Sequence, residues 1–311
     1  LIRTAQLSFC KCAKKKKRRR RRIMAPGKLV IIRGGGDIAS GIAHRLHGAG
    51  FPVLILEIAK PLTVRRRAAF AQAVYEDRAE IEGVRATLAR NVPQAFSILH
   101  EREIAVLVDP EGKAIGKIRC IAVVDATLAK KNLGTKMDMA GIVIGVGPGF
   151  TAGSDVHAVV ETFESENILG RVIYTGAALP DTGVPGERVA GYADERVIRA
   201  AGEGEVRVLR DIGSTVKKGD VLCVVDGKPV LARIDGMVRG MIQNGRFVTD
   251  GLKIGDIDPR IDSRLCHTIS DKARAVGGGV LEAVCRLSKK KETGRASFGR
   301  TILENSQDGV L

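Results

Sequence analysis

The run Gly34-Gly35-Gly36-Asp37-Ile38-Ala39 has the residue types and spacing to hold a phosphate. It fits Gly-x-Gly-x-x-Gly/Ala. In that pattern Gly34 makes a tight turn, Gly36 lets backbone approach a phosphate, and Ala39 keeps the following helix close to a sheet. Glu57 follows at the end of the next apolar run, where an acidic side chain bonds the ribose hydroxyls of a dinucleotide such as NAD(P). Asp37 argues the other way. At a helix N-terminus its carboxylate caps free N–H groups and repels a pyrophosphate, so the same residues also read as a capped turn with no ligand.

A second candidate is Gly145 to His157, "GVGPGFTAGSDVH". Amides freed by Gly147, Gly149 and Gly153 can form an anion-binding nest at a strand end, with Asp155 and His157 adding polar contacts. The alternative is a plain long loop with His157 on an apolar strand. Asp109 and Asp125 end two further apolar runs, with Lys130 and Asn132 just after; these are rim groups or turn residues. Arg65 to Arg67 reads as a solvated charge run rather than a phosphate clamp. Spacing yields no carboxylate pair, no nucleophile with its base and no metal triad, so these residues alone define no reaction.

The elements that must position these residues follow from the apolar pattern. "LVIIR" (29–33) is a continuous run of the kind that forms a buried parallel strand, broken by "GGGD". Ala39, Ile42, Ala43 and Leu46 then recur at helical spacing, Gly48 and Gly50 stop the helix, and "PVLILE" is the second strand. "EIAVLVD" (103–109), "IAVVDA" (121–126) and "GIVIGVG" (141–147) are further strands, with "TLAKKN" (127–132) as a helical connector. Alternation of this kind predicts a Rossmann-like open α/β sheet over residues 24–200.

Over 201–262 the grammar changes to short apolar segments divided by glycine turns. Gly213, Val216, Gly219 and Leu222 are matched in a second copy by Gly245, Val248, Gly251 and Ile254. Such a repeat predicts a small pseudo-twofold β-barrel or sandwich. Residues 263–287 predict a C-terminal helix capped by Ser270, interrupted by Gly277 to Gly279 unless these permit close packing. Residues 288–311 form a tail.

Charge separates the ends from the body. The chain of 311 residues carries +16, but residues 1–23 hold eleven Lys and Arg and no acid, which leaves residues 24–287 near neutrality. Nine consecutive cations, Lys14 to Arg22, read either as an arm for nucleic acid or as purine-rich leader translated ahead of a natural start at Met24. The leader reading is preferred, so no nucleic-acid partner is expected. Six cysteines lack zinc spacing, and no apolar run reaches membrane length, which predicts a reduced, cytoplasmic protein. The lack of Trp disfavours a stacking platform for single strands.

The phrases "VIIRGGGDIASGIAHRLHGAGF", "AVYEDRAEIEGV", "VDATLAKKNLGT", "IGVGPGFTAGSDVHAVVET", "GKPVLARIDGMVRGMI", "KIGDIDPR" and "ISDKARAVGGGVLEAV", in this order over 28–287, resemble the YqeB family. The resemblance implies an accessory role in the maturation of a selenium-dependent molybdenum hydroxylase. Its implied partners are that hydroxylase or its maturation proteins, and its implied ligand is a nucleotide or molybdenum cofactor. The repeat over 201–262 is also similar to a biotinyl/lipoyl-type half-barrel, yet its hairpin "VVDGKPV" lacks the flanking Met residues of a carrier lysine at Lys228. An NAD(P)-dependent oxidoreductase is the alternative function, favoured by Gly34, Gly36, Ala39 and Glu57 but without an identifiable acid or base.

Overall fold

The computed structural model describes residues 28–164, 167–183 and 188–307; the leader predicted over 1–23 lies outside them. The chain runs β1 (Val30–Arg33), α1 (Asp37–Gly48), β2 (Val53–Glu57), α2 (Ala73–Glu76), β3 (Arg78–Ile81), β4 (Val84–Ala89), α3 (Val92–His100), β5 (Ile104–Val108), β6 (Ala122–Asp125) and β7 (Ile142–Val146). It continues through β8 (Thr151–Ala152), β9 (Ala158–Val160), β10 (Val172–Ile173) and β11 (Gly176–Ala177). A nine-stranded sheet has the order β10-β9-β7-β6-β1-β2-β5-β4-β3. Its interior pairs are parallel, and only the edge pairs β9–β10 and β3–β4 are antiparallel.

The continuous apolar runs are buried because the central strands are covered on both faces. Val30, Ile32, Val53, Ile55, Val124 and Ile144 face one core with Ile42 and Leu46 of α1. Leu29, Ile31, Leu54, Leu56, Val123 and Val143 face the other with Ile98 and Leu99 of α3 and Ile115 and Ile118. The segment "TLAKKN" is a loop rather than the predicted helix. Leu128 and Lys130 hold left-handed φ values of 53° and 59°, and the loop is packed from the side by Gly149.

The second unit comprises β12 (Val197–Arg199), β13 (Gly204–Val208), β14 (Thr215–Val216), β15 (Val221–Val225), β16 (Lys228–Leu231), β17 (Gly236–Met241), β18 (Phe247–Val248) and β19 (Lys253–Asp258). They form two four-stranded sheets, β12-β19-β17-β14 and β16-β15-β13-β18, around one core. The repeat is visible here. Gly213, Gly219, Gly245 and Gly251 all have φ between 70° and 95°, and Val216, Leu222, Val248 and Ile254 are all buried. Each copy lends its short strand to the sheet of the other: β14 pairs with β17, and β18 pairs with β13.

Arg65 and Arg66 join the units, which corrects their reading as a solvated run. Arg65 is 7% exposed and donates to the carbonyls of Leu265 and Thr268 at 3.0 and 2.8 Å. Arg66 donates to Met241 O at 3.1 Å and pairs with Asp211. Neighbouring Val64 accepts from Met241 N at 2.9 Å.

α4 (Asp271–Gln307) returns to the first unit, with Ser270 Oγ accepting from Ala273 N at 3.2 Å. Its three glycines serve packing. A Cβ on Gly277 would stand 2.8 Å from Gly41 O in α1, and one on Gly279 would stand 2.1 Å from Gly170 O, whereas Gly278 faces nothing within 4 Å. Gly279→Ala should therefore force α4 off the sheet and lower the urea midpoint sharply. Gly278→Ala, which only restores helix propensity, should raise stability by up to about 1 kcal/mol. Equal effects of the two substitutions would show that α4 is not held by this contact.

Candidate functional site

After β1 the chain fills one flank of the sheet with β2, β3, β4 and β5, then crosses to the other flank with β6. The strand order therefore switches beside β1, and open parallel sheets bind ligands just outside the carboxyl ends at such a point. The glycine turn stands there. Gly34 N donates to Leu56 O at 2.8 Å, and its φ of 90° and a Cβ position only 2.9 Å from Ala126 O leave room for glycine alone. Gly35 O accepts from Ala71 N at 2.8 Å and from Ser40 Oγ at 3.1 Å, so the middle of the turn is closed over by the 69–72 segment. Gly36 differs from both. It is the N-cap of α1 with ordinary φ of −62°, makes no side-chain cap, and has nothing within 4 Å of where a Cβ would stand. Ala39 is buried against the sheet, as the motif requires.

Asp37 does not cap α1; its Oδ2 lies 3.7 Å from Arg65 Nη1, which offsets its charge beside the first turn. Glu57 also has a different role from the expected one. Its Oε1 accepts from Gly35 N at 2.8 Å and its Oε2 from Ile58 N at 2.6 Å, so the carboxylate braces the glycine turn instead of presenting itself to a ribose. Burial raises its pKa above the ordinary value, and these two N–H groups oppose the rise.

The second candidate loop is divided between two places. Gly147 and Gly149 stay at the carboxyl edge, but for packing: Cβ atoms there would stand 2.8 Å from Thr162 Oγ1 and 2.7 Å from Lys131 N. Gly153 and Asp155 build a separate turn, with Asp155 Oδ2 accepting from Thr151 N at 2.9 Å. His157 lies beside Val143, accepting from its N–H through Nδ1 at 3.0 Å. That is four residues back along β7 from Gly147, roughly 13 Å at strand rise. Asp155 and His157 therefore do not join the glycine turn.

Other residues do join it. Arg33 ends β1 in register with Asp125 at the end of β6, and Arg33 Nη1 donates to Asp125 Oδ2 at 2.9 Å. Thr135 Oγ1 bonds both partners, while Asp125 Oδ1 accepts from Thr127 Oγ1 at 2.7 Å. Asn132, bonded to both the N–H and the carbonyl of Thr135, holds that turn. Glu161 follows β9 and accepts from the N–H groups of Thr162, Phe163 and Leu179. The signal for Arg33 was available: a charged residue closing an apolar strand, level with an acid closing its neighbour.

These carboxylates are all taken up by backbone or arginine donors. Buried thiols add no nucleophile, since burial pushes Cys223 up to about 11 and also raises Cys266. Among the described residues no group of three His, Cys, Asp or Glu could hold a metal ion. No described helix is long and apolar enough to cross a membrane. A groove of about 340 Å³ lies apart from the rim, against the C-terminal half of α1, lined by His44, Arg45, Ile269 and Arg274 among others. What the rim leaves free is an open helix N-terminus on a rigidly braced turn.

No family model matches the chain. A curated relative from Escherichia coli (strain K12), described as uncharacterized protein YqeB, is 48% identical over 260 residues, 84% of this chain and 48% of the relative. The chain thus spans about half the length of the curated relative it matches. Among solved structures, the product-bound ectoine utilization protein EutE (DoeB) from Ruegeria pomeroyi is 15% identical, with 76% of this chain and 86% of that one covered at a TM-score of 0.24. An aspartoacylase family protein from Mesorhizobium loti is 10% identical, with coverage of 75% and 86% and a TM-score of 0.24. Likenesses this weak carry no inference about fold or activity.

The bracing groups can be tested separately from any ligand. Asp125→Ala strands the Arg33 guanidinium in the interior and should cost about 3–5 kcal/mol in urea unfolding. Glu57 is read by pH. Its folded pKa lies above the unfolded one, so its contribution is complete below about 4.5 and is lost as pH rises through the raised folded value. The difference between wild type and Glu57→Gln should therefore slope in that window. A flat difference would show that burial does not act on this carboxylate.

Proposed function

The chain belongs to the YqeB family, and from that premise we propose that it is an accessory protein in the maturation of a selenium-dependent molybdenum hydroxylase, binding a nucleotide or a molybdenum-cofactor species. The observation that carries the binding half is Gly36. An uncapped helix N-terminus with open space around it, at the strand-order switch, is where backbone N–H groups and the helix dipole favour a phosphate. Arg65 supports this by offsetting the charge of Asp37, an acid on the first turn of α1 that would repel an anion. The accessory half rests on the family resemblance.

In this reading the protein works in the cytoplasm, and the twofold strand-rich unit, a biotinyl/lipoyl-like shape, contacts the hydroxylase or another maturation protein. It is not a carrier. Lys228 sits just past an Asp226–Gly227 turn and folds back, its Nζ 3.2 Å from where a Gly202 Cβ would stand, rather than extending from the tip. A stand-alone NAD(P)-dependent oxidoreductase would need an acid or base at the rim. The carboxylates there are committed to bracing, which favours recognition over catalysis.

Gly36→Val separates the binding reading from a bare turn, because its φ and surroundings accept a branched side chain without strain. The variant should lose at most the roughly 1 kcal/mol by which glycine is preferred to valine at an N-cap, and still fold, yet bind the cognate ligand at least about tenfold more weakly, a loss of roughly 1.4 kcal/mol. Calorimetric titration with NAD, other nucleotides and molybdenum cofactor reads this directly. In a host that needs the hydroxylase, the same variant should restore less hydroxylase activity than wild type. Failure of wild type to bind any of these ligands would remove the binding half; full complementation by Gly36→Val would remove the link between this turn and maturation.

A further inference from the structure

The junction between the two units holds more buried cationic donors than it can satisfy. Arg65 commits Nη2 to two carbonyls, but its Nε and Nη1 are buried with no hydrogen-bond partner; the nearest carboxylate oxygen, on Asp37, stands at 3.7 Å. Arg239 Nε is likewise buried and unpartnered, 4.0 Å from Asp258 Oδ2. Asp258 cannot come closer to serve it, because Arg260 holds both its oxygens at 2.8 to 2.9 Å. Asp256, 6% exposed, reaches Arg239 Nη1 through Oδ2 at 3.4 Å while its Oδ1 has no partner at all. Arg65, Arg239 and Asp256 meet around β17: a Cβ on Gly240, next to Arg239, would stand 2.5 Å from Asp256 Oδ1 and 2.7 Å from Val64 Cγ1, next to Arg65.

Orphan donors at this depth mark a water or an ion that belongs there, and the local charge decides for an ion. Charge says what kind. Asp258 is shared by Arg260, Arg196 and Arg239, so Arg65, Arg196, Arg239 and Arg260 together meet three carboxylates, Asp37, Asp256 and Asp258, an excess of one positive charge. Cys266 does not supply the missing anion, since burial holds it as the thiol. Hydrogen bonding narrows the ligand further. Three N–H donors and one carboxylate oxygen lack partners, so the occupant must accept from the guanidiniums and donate once to Asp256 Oδ1. Chloride accepts but has nothing to donate.

We propose that the junction of Arg65, Arg239 and Asp256 binds a small monovalent oxyanion that retains one O–H, of which bicarbonate is the simplest. Its oxygens take the free guanidinium N–H groups and its hydroxyl bonds Asp256 Oδ1. Occupancy ties the strand-rich unit to the loop that places Arg65 beside the first turn of α1.

The test uses the full chain, bicarbonate as the probe and chloride at matched ionic strength as the control, at mildly alkaline pH. Bicarbonate should raise the melting temperature by roughly 5 °C or more at about a hundredfold excess over its Kd, with chloride well below that. Carbon-13-labelled bicarbonate should give a bound resonance. Arg239→Lys keeps the charge but loses Nε and the planar fork, so it should fold and yet lose both signals. Equal stabilisation by chloride, no bound resonance with wild type, or an unchanged response in Arg239→Lys would each overturn the proposal.

Discussion

The carboxyl edge of the large sheet depends on one recurring interaction: an acid at or just past a strand end, turned back to receive N–H groups from its own loops. Glu57, Asp109, Asp125 and Glu161 all do this, for Gly35 and Ile58, Lys113 and Ala114, Thr127, and Thr162, Phe163 and Leu179 respectively. Parallel strands end in loops whose amides lack a ladder partner, and burying such amides unpaired is costly. A carboxylate accepts several at once, more strongly than a neutral oxygen. The rim is rigid for that reason.

Against this fixed edge the glycines divide by purpose. Gly34, Gly147 and Gly149 are needed because backbone or side-chain atoms of neighbouring loops stand within 3 Å of where a Cβ would go, whereas Gly36 faces empty space. Gly41, Gly277 and Gly279 form a third group, where α1, α4 and the loop at Gly170 meet backbone to backbone. Of the glycines at this edge, Gly36 has neither a packing contact nor a left-handed φ, and its place as N-cap of α1 is the structural reason left for it.

Much of the architecture was legible in sequence. Continuous apolar runs marked the central strands, because burial on both faces removes alternation; the matched glycines over 213–251 marked the strand-rich unit, because each needs a left-handed φ. The loop at 127–132 read as helix because Leu, Ala and Lys favour helices, and tertiary packing of Gly149 on Lys131 overrode that preference. The tight turn at Gly34 and the burial of Ala39 were legible since local backbone geometry decides them. Between the two readings of His157 spacing could not decide, and the roles of Glu57 and Arg65 were missed because Gly35, Leu265 and Thr268, which they bond, lie 22 to 203 residues away in the chain.

The closing position of α4 also governs when the protein can become itself during synthesis. Ala273, Val276, Val280 and Val284 complete the core that Val30, Ile42 and Ile144 begin, so the first unit keeps an uncovered apolar face while the entire strand-rich unit is still being made. At typical elongation rates the wait between β10 and the end of that helix lasts roughly 7 to 27 seconds. During that interval the nascent chain displays α1 and the β7–β9 edge without their cover, and it is then that a chaperone would have most to protect.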